Sequence, residues 1–247
     1  MKNKLILSGA GHDVHVWEAG LDLPEPDIRR AEALLCEDEK KRADRLIYPE
    51  HRRRFIAAHA VLRLILGRYL GLDPEKIEIT SDEHGKPCLA SHVHCPPLCF
   101  NLSHSGSLAI IGVSAGRAIG VDIECVRPVS GMEGISRRFF AKPEARLVES
   151  AEEDVRTALF FRLWTMKEAC LKACGLGLRG LEGLPSVTPE TDAGTSPALV
   201  PDAACLEISG RSWSVKRIFT SPGYEAAVAL EGDAPWEIKC RRIEAVF

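Results

Sequence analysis

At 247 residues the chain can build one large core or two smaller ones, and its 45% hydrophobic and 27% charged content is that of an ordinary globular protein. A net charge of −3 excludes a general affinity for nucleic acid, and no apolar stretch is long enough to span a membrane. The nine cysteines, odd in number and mostly within apolar segments, predict free thiols and a cytoplasmic setting rather than a disulfide framework.

In chain order, the apolar run at Leu5-Ile6-Leu7 is too short for a signal peptide and opens a predicted strand over residues 5–17. Residues 25–46 have helical spacing, with Ile28, Ala31, Leu34 and Leu35 as the apolar side. Residues 50–70 carry the strongest helical period, through Phe55, Ala58, Leu62, Ile65 and Leu66, with Gly67 and Gly71 near its end. Ile77–Thr80 alternates like a strand and His84-Gly85-Lys86-Pro87 has turn chemistry. Leu98–Leu102 and Leu108–Val113 predict paired strands around a Ser103-His104-Ser105-Gly106 turn.

Gly120–Cys125 predicts a strand that opens a second series, followed by helices at Ile135–Phe140, Pro143–Ser150 and Glu153–Gly175. Residues 184–202 read as a loose surface excursion, and strands are predicted near 205–208, 212–219 and 224–230. The last ~15 residues read as a tail. The halves echo each other: Arg54–Gly67 and Arg162–Gly175 are long helices ending in glycine, and Ser105–Val113 resembles Ser221–Leu230. The expected fold class is therefore α+β, a pseudo-twofold duplication of two similar α/β subdomains, 1–116 and 117–247, with the active site in the cleft between them.

The chemistry concentrates in two stretches. On a strand, Asp122 and Glu124 share one face while Val121 and Ile123 bury the other. An isolated Asp-x-Glu is commonly the solvent face of an edge strand; here Ile119-Gly120-Val121 before it points to an internal strand. On a helix, Trp164, Glu168 and Lys172 stack along one side, ordinarily a surface ion pair. Phe160, Phe161, Leu163, Met166, Ala169, Cys170 and Leu171 make that helix apolar on most sides, however, so its charges should be paired or bound to something.

Three carboxylates suit a hard divalent cation, and a lysine one turn on suits a phosphate. Ser103-His104-Ser105-Gly106 lacks the nucleophile-elbow pattern and, as a turn, can present hydroxyls and an imidazole to a phosphate. His92, His94, Cys95 and Cys99 are metal-capable, but no second cluster accompanies them for zinc. Lys40, Lys41, Arg42, Arg45, Arg52, Arg53 and Arg54 form a basic cluster that is either a solvated helix face or an anion site.

Taken in order, the chain resembles the Sfp-type 4′-phosphopantetheinyl transferases. The resemblance runs through Arg54 with Ala60-Val61-Leu62-Arg63, Gly85-Lys86-Pro87, Phe100-Asn101-Leu102-Ser103-His104-Ser105 and Gly120-Val121-Asp122-Ile123-Glu124. It continues with Arg138-Phe139-Phe140, Glu144, Trp164-Thr165-Met166-Lys167-Glu168-Ala169 and Lys172. It implies the fold of that family and transfer of 4′-phosphopantetheine from coenzyme A (CoA) to a serine of an acyl, peptidyl or aryl carrier protein, releasing adenosine 3′,5′-bisphosphate.

By the same resemblance Asp122, Glu124 and Glu168 hold Mg2+, with Mn2+ as the alternative ion, on the CoA pyrophosphate. Lys172 neutralises charge there, Glu168 or a metal-bound water beside it is the expected proton acceptor, and Arg42, Arg54, Lys86, Ser103 and His104 grip CoA. Some relatives carry a lysine where this chain has Glu39, which removes one expected phosphate contact. Arg137, Arg138, Phe139 and Phe140 are candidates for carrier docking. A monomer without nucleic-acid or membrane partners is expected. The competing readings are another Mg2+-dependent phosphoryl-transfer enzyme or phosphohydrolase, and a non-catalytic CoA- or carrier-binding protein.

Overall fold

The structure is a computed structural model that describes Leu5, Leu7 and residues 13–90, 97–188 and 200–244. The expected metal-capable run at His92, His94 and Cys95 lies outside the described residues, as does most of the expected excursion. Among the described residues the fold is mixed α+β, with ten strands and six helices.

The first part of the chain contains β1 (Asp13–Gly20), α1 (Glu25–Ala33), α2 (Glu37–Asp44), α3 (Pro49–Leu70), β2 (Ile79–Ser81), β3 (Pro87–Leu89), β4 (Leu98–Ser105) and β5 (Leu108–Ala115). The second contains β6 (Ile119–Cys125), α4 (Met132–Phe139), α5 (Lys142–Ser150), α6 (Glu153–Cys174), β7 (Ala203–Ile208), β8 (Arg211–Ile218), β9 (Tyr224–Glu231) and β10 (Glu237–Ile243).

Four expectations change. The helix expected over 25–46 is two, because Leu34, Leu35 and Cys36 leave the helical path and Glu39 caps the Cys36 amide at 2.9 Å to start α2. Among the described residues the first strand is Asp13–Gly20, which runs past the expected end at Trp17, while residues 6 and 8–12 of the expected strand lie outside the described residues. Ser103, His104 and Ser105 belong to β4 and pair with Ile110, Ala109 and Leu108, so the turn is Gly106-Ser107 alone. Residues 237–243, expected as tail, form β10, which runs parallel to β1 with seven residues in register.

Two four-stranded sheets, ordered β10-β1-β5-β4 and β6-β9-β8-β7, carry the core, beside a small β2-β3 ribbon. Period-two alternation divides the core into layers. Trp17, Ala19, Ala109, Ile111 and Val113 pack against α3, while Ala227 and Ala229 pack with Leu163, Met166 and Ala169 of α6. The opposite faces meet each other through Val14, Val16, Ile110, Val121, Ile123 and Val228. The order is thus helix, sheet, sheet, helix, as expected when two one-sided sheets must each bury both faces.

Candidate active site

The site begins at Gly120. Gly120, Asp122 and Glu124 share the face of β6 that looks at α6. A Cβ at Gly120 would lie 2.1 Å from the Ala169 carbonyl oxygen and 2.3 Å from the Ala173 amide nitrogen, so only glycine lets the helix backbone rest on the strand. That contact brings Glu168 and Lys172, each one residue before those contact points, up to Asp122.

Lys172 Nζ donates to Asp122 Oδ1 at 2.6 Å and to Ser103 Oγ at 2.8 Å, and Ser103 Oγ donates to the same Asp122 oxygen at 3.0 Å. Ser105 Oγ donates to Glu124 Oε2 at 2.7 Å, which Arg127 also approaches at 3.3 Å. Asp122 Oδ2 and Glu168 Oε1 are buried and have no hydrogen-bond partner among the described residues. Such oxygens are costly to leave unsatisfied unless something else binds them.

Burial, followed by the charges of Asp122 and Glu124, pushes the Glu168 carboxyl up to about 7 against the opposing pull of Lys172. Burial also raises Asp122, again opposed by Lys172. A crowded acidic pocket with raised carboxyl pKa values is a characteristic of catalytic or ion-binding sites.

β6 is an edge strand, yet its outer amides are satisfied. Asn101 Oδ1 accepts from the Val121 amide at 2.8 Å, Ser103 Oγ from Ile123 at 3.4 Å and Ser105 Oγ from Cys125 at 3.1 Å. Alternate residues of β4 thus close alternate positions of β6 with side chains, and the same hydroxyls orient both carboxylates. Asn101 and Ser105 stand in the motif quoted from sequence, but their role in closing β6 was not read there, although their period of two with Ser103 was visible.

The even-numbered side chains of β4 face the other way. His104 lines a cavity of about 630 Å3 together with Arg42, Glu39, Phe55, His59 and Leu102. That volume suits a small-molecule ligand. Burial lowers the His104 pKa, helped by His59 and Lys172. Arg42 sits 5.5 Å above the Phe55 ring. Beneath it Glu39 receives Arg63 Nε at 2.7 Å and lies 3.2 Å from His59 Nδ1. Burial opposes ionisation of Glu39, but these partners, the Cys36 amide and the Arg63 charge hold it at about 2. Glu39 is therefore a buried structural anion.

The remaining expected CoA contacts lie elsewhere. Arg54 lines a separate groove of about 450 Å3 and is bonded to Asp22 at 2.7 Å and Glu50 at 2.6 Å. Lys86 Nζ donates to the Ile119 and Ala173 carbonyls at 2.9 and 2.8 Å and lines a third cavity, which shares Pro87 and Phe100 with the one lined by Arg42 and His104. Ser103 is committed to Asp122, Lys172 and β6. In the segment considered for docking, Phe140 is buried beside Phe160, and Phe139 meets Trp164 edge-on. Arg137 and Arg138 are exposed and paired with Glu149 and Glu182.

Residues 118–229 match the 4′-phosphopantetheinyl transferase superfamily, and residues 24–116 match the family described as 4′-phosphopantetheinyl transferase, N-terminal. Together these matches define the class as transferase. The 4′-phosphopantetheinyl transferase HetI of Nostoc sp. is 41% identical over 83% of this chain and 91% of its own length. The transferase Sfp of Bacillus subtilis is 31% identical over 87% of this chain and 91% of its own, and a putative transferase of Synechocystis sp. is 38% identical over 71% and 69%. The chain belongs to the 4′-phosphopantetheinyl transferase family.

Proposed function

We infer that the protein transfers the 4′-phosphopantetheine group of CoA to a serine of an apo acyl, peptidyl or aryl carrier protein, releasing adenosine 3′,5′-bisphosphate. The observation that carries the site assignment is the pair of buried, unpartnered oxygens, Asp122 Oδ2 and Glu168 Oε1, beside Lys172. Among the described residues no three acidic, histidine or cysteine side chains converge into a ready-made metal cage. The donor set nonetheless fits Mg2+, which takes hard oxygens, keeps several waters and needs few protein ligands. Asp122, Glu124 and Glu168 would hold it, and it would supply charge neutralisation on the pyrophosphate.

The chain's own residues do the rest. Arg42 and His104 meet the nucleotide side of CoA in the cavity under α3, and Arg54 joins them once a phosphate displaces Asp22 or Glu50. Lys172 turns from Asp122 to the pyrophosphate and stabilises negative charge developing on the departing nucleotide phosphate. Glu168, buried beside Asp122 and Lys172, is the carboxylate placed to accept the proton of the attacking serine.

The two-unit architecture belongs to the same reading. A strand, three helices and an antiparallel strand pair recur as β1-α1-α2-α3-β4-β5 and β6-α4-α5-α6-β8-β9. Both long helices have 22 residues and end at a glycine of positive φ, Gly71 and Gly175. In each unit a glutamate at the third position of the preceding helix caps that helix and binds a buried cation of the long helix: Glu39 with Arg63 and Glu144 with Lys167. These correspondences support a pseudo-twofold duplication with the site at the seam.

Mass spectrometry of apo-carrier proteins incubated with CoA and Mg2+ tests the function. The expected mark is one phosphopantetheine on the carrier serine. No gain across varied carriers refutes the reading. Phosphate release from CoA without a carrier would favour hydrolysis, a reading that the family does not support.

A further inference from the structure

Lys86, expected from the resemblance to grip CoA, has its ammonium on two backbone carbonyls of the second half of the chain. Its turn is tightly built: Asp82 Oδ1 accepts from the His84 and Lys86 amides, both at 2.9 Å, and Gly85 takes a φ of 83°. The turn drives the Lys86 side chain into the seam between the two halves, where among the described residues its ammonium meets no carboxylate partner. It donates instead to two carbonyls, Ile119 at 2.9 Å and Ala173 at 2.8 Å.

Those carbonyls belong to the two elements that carry the site. Ile119 is the first residue of β6, next to Gly120. Ala173 lies in the last turn of α6, next to Lys172. A cation on the open carbonyls of a helix C-terminus is favourable. The contact lies beside the place where the α6 backbone rests on Gly120. A slip of α6 along β6 would open the 2.6 Å contact between Lys172 and Asp122 and turn Glu168 away from it.

We propose that Lys86 is a positioning residue for phosphopantetheine transfer, pinning the last turn of α6 to the start of β6 so that Lys172 and Glu168 stand opposite Asp122. It acts through the helix and does not touch CoA. The proposal rests on the transferase reading.

Steady-state transfer should be measured against CoA concentration for wild type, Lys86→Met and Lys86→Arg, with CoA binding at equilibrium and thermal unfolding alongside. A misplacement of about 1 Å at a reacting group costs on the order of 10²-fold in rate. For Lys86→Met the expected result is therefore a kcat lower by about 10- to 100-fold, with KM and Kd for CoA within about threefold of wild type. Lys86→Arg keeps two donors and should recover most of kcat.

A rise of about tenfold in KM and Kd with kcat unchanged would overturn the proposal and make Lys86 a substrate contact. Unchanged kcat and KM with only a lower Tm would overturn it in favour of a purely structural role. If Lys86→Met does not fold, Lys86→Gln at reduced temperature is read by the same split. A wild-type protein that binds CoA but modifies no carrier would refute the transferase reading itself, a result distinct from any difference between wild type and variant.

Discussion

Replacing Glu168 by glutamine should make the protein more stable and almost inactive. The Glu168 carboxyl is raised from an ordinary 4.5 to about 7, first by burial and then by Asp122 and Glu124. Below pH 4.5 folded and unfolded chains both hold the proton, and the carboxyl has no pH-dependent effect. As pH rises through 4.5 the unfolded chain ionises first, so native stability falls until the folded group ionises near 7 and then levels off. The cost of a shift of this size is about 3 kcal/mol at pH 8.

Glutamine has nearly the same shape and no charge to bury. Glu168→Gln should therefore exceed wild type by up to about 3 kcal/mol at pH 8, or roughly 6–10 °C in Tm, and match it near pH 4. Loss of a proton acceptor lowers transfer by about 10²–10⁴-fold, whereas CoA binding should fall only modestly. Urea and thermal unfolding in chelator at pH 4, 6 and 8, with transfer and CoA binding at pH 8, test both parts. Equal stability at pH 8 would refute the buried-charge argument, and near-normal turnover would remove Glu168 from the chemistry.

Three further outcomes follow from other contacts. Gly120→Ala would drive a methyl group into the Ala169 and Ala173 backbone; unfolding should show a loss of about 1–3 kcal/mol, and transfer should fall further than that loss explains. Arg63→Met leaves Glu39 buried without its main partner, and urea unfolding should show a loss of about 3–5 kcal/mol, with weaker CoA binding in the adjoining cavity. Deleting residues 237–247 should expose the β1 edge and cause aggregation or a marked fall in Tm, although no site residue is removed; an unchanged Tm would show that β10 contributes little.

The long helices and the site residues were legible because their signals are local. Phe55, Leu62 and Leu66 repeat at the helical period, and Asp122 and Glu124 at the strand period, whatever surrounds them. β10 was not legible. Its Glu-Ile-Lys-Cys-Arg-Arg-Ile sequence exposes most of its side chains, and it pairs with β1, over 200 residues earlier in the chain. Nor could Lys86 or Arg54 be resolved from motif alone. Lys86 is claimed by two backbone carbonyls and Arg54 by Asp22 and Glu50, none of them adjacent in the motif. The split between α1 and α2 was hidden because Leu34 and Leu35 keep the apolar pattern through the break, while the decisive contact is a side chain, Glu39, bonding backward to Cys36.

How the two leading strands are finished bears on where the chemistry sits. The free edge of β1 is closed by a strand, β10, and its Glu18 carboxylate is bonded by Thr220, Ser221 and Arg242. The free edge of β6 is closed by single side chains, Asn101, Ser103 and Ser105 on its amides and Lys86 on a carbonyl. A full strand would put backbone about 4.8 Å from β6 along its length, where Ser103 and Lys172 now reach Asp122. Closure by side chains satisfies the edge and still admits a helix lysine to the carboxylate. It also leaves Asp122 Oδ2 without a partner, where Glu18 has both oxygens occupied. The edge closed by side chains is the one that keeps binding capacity.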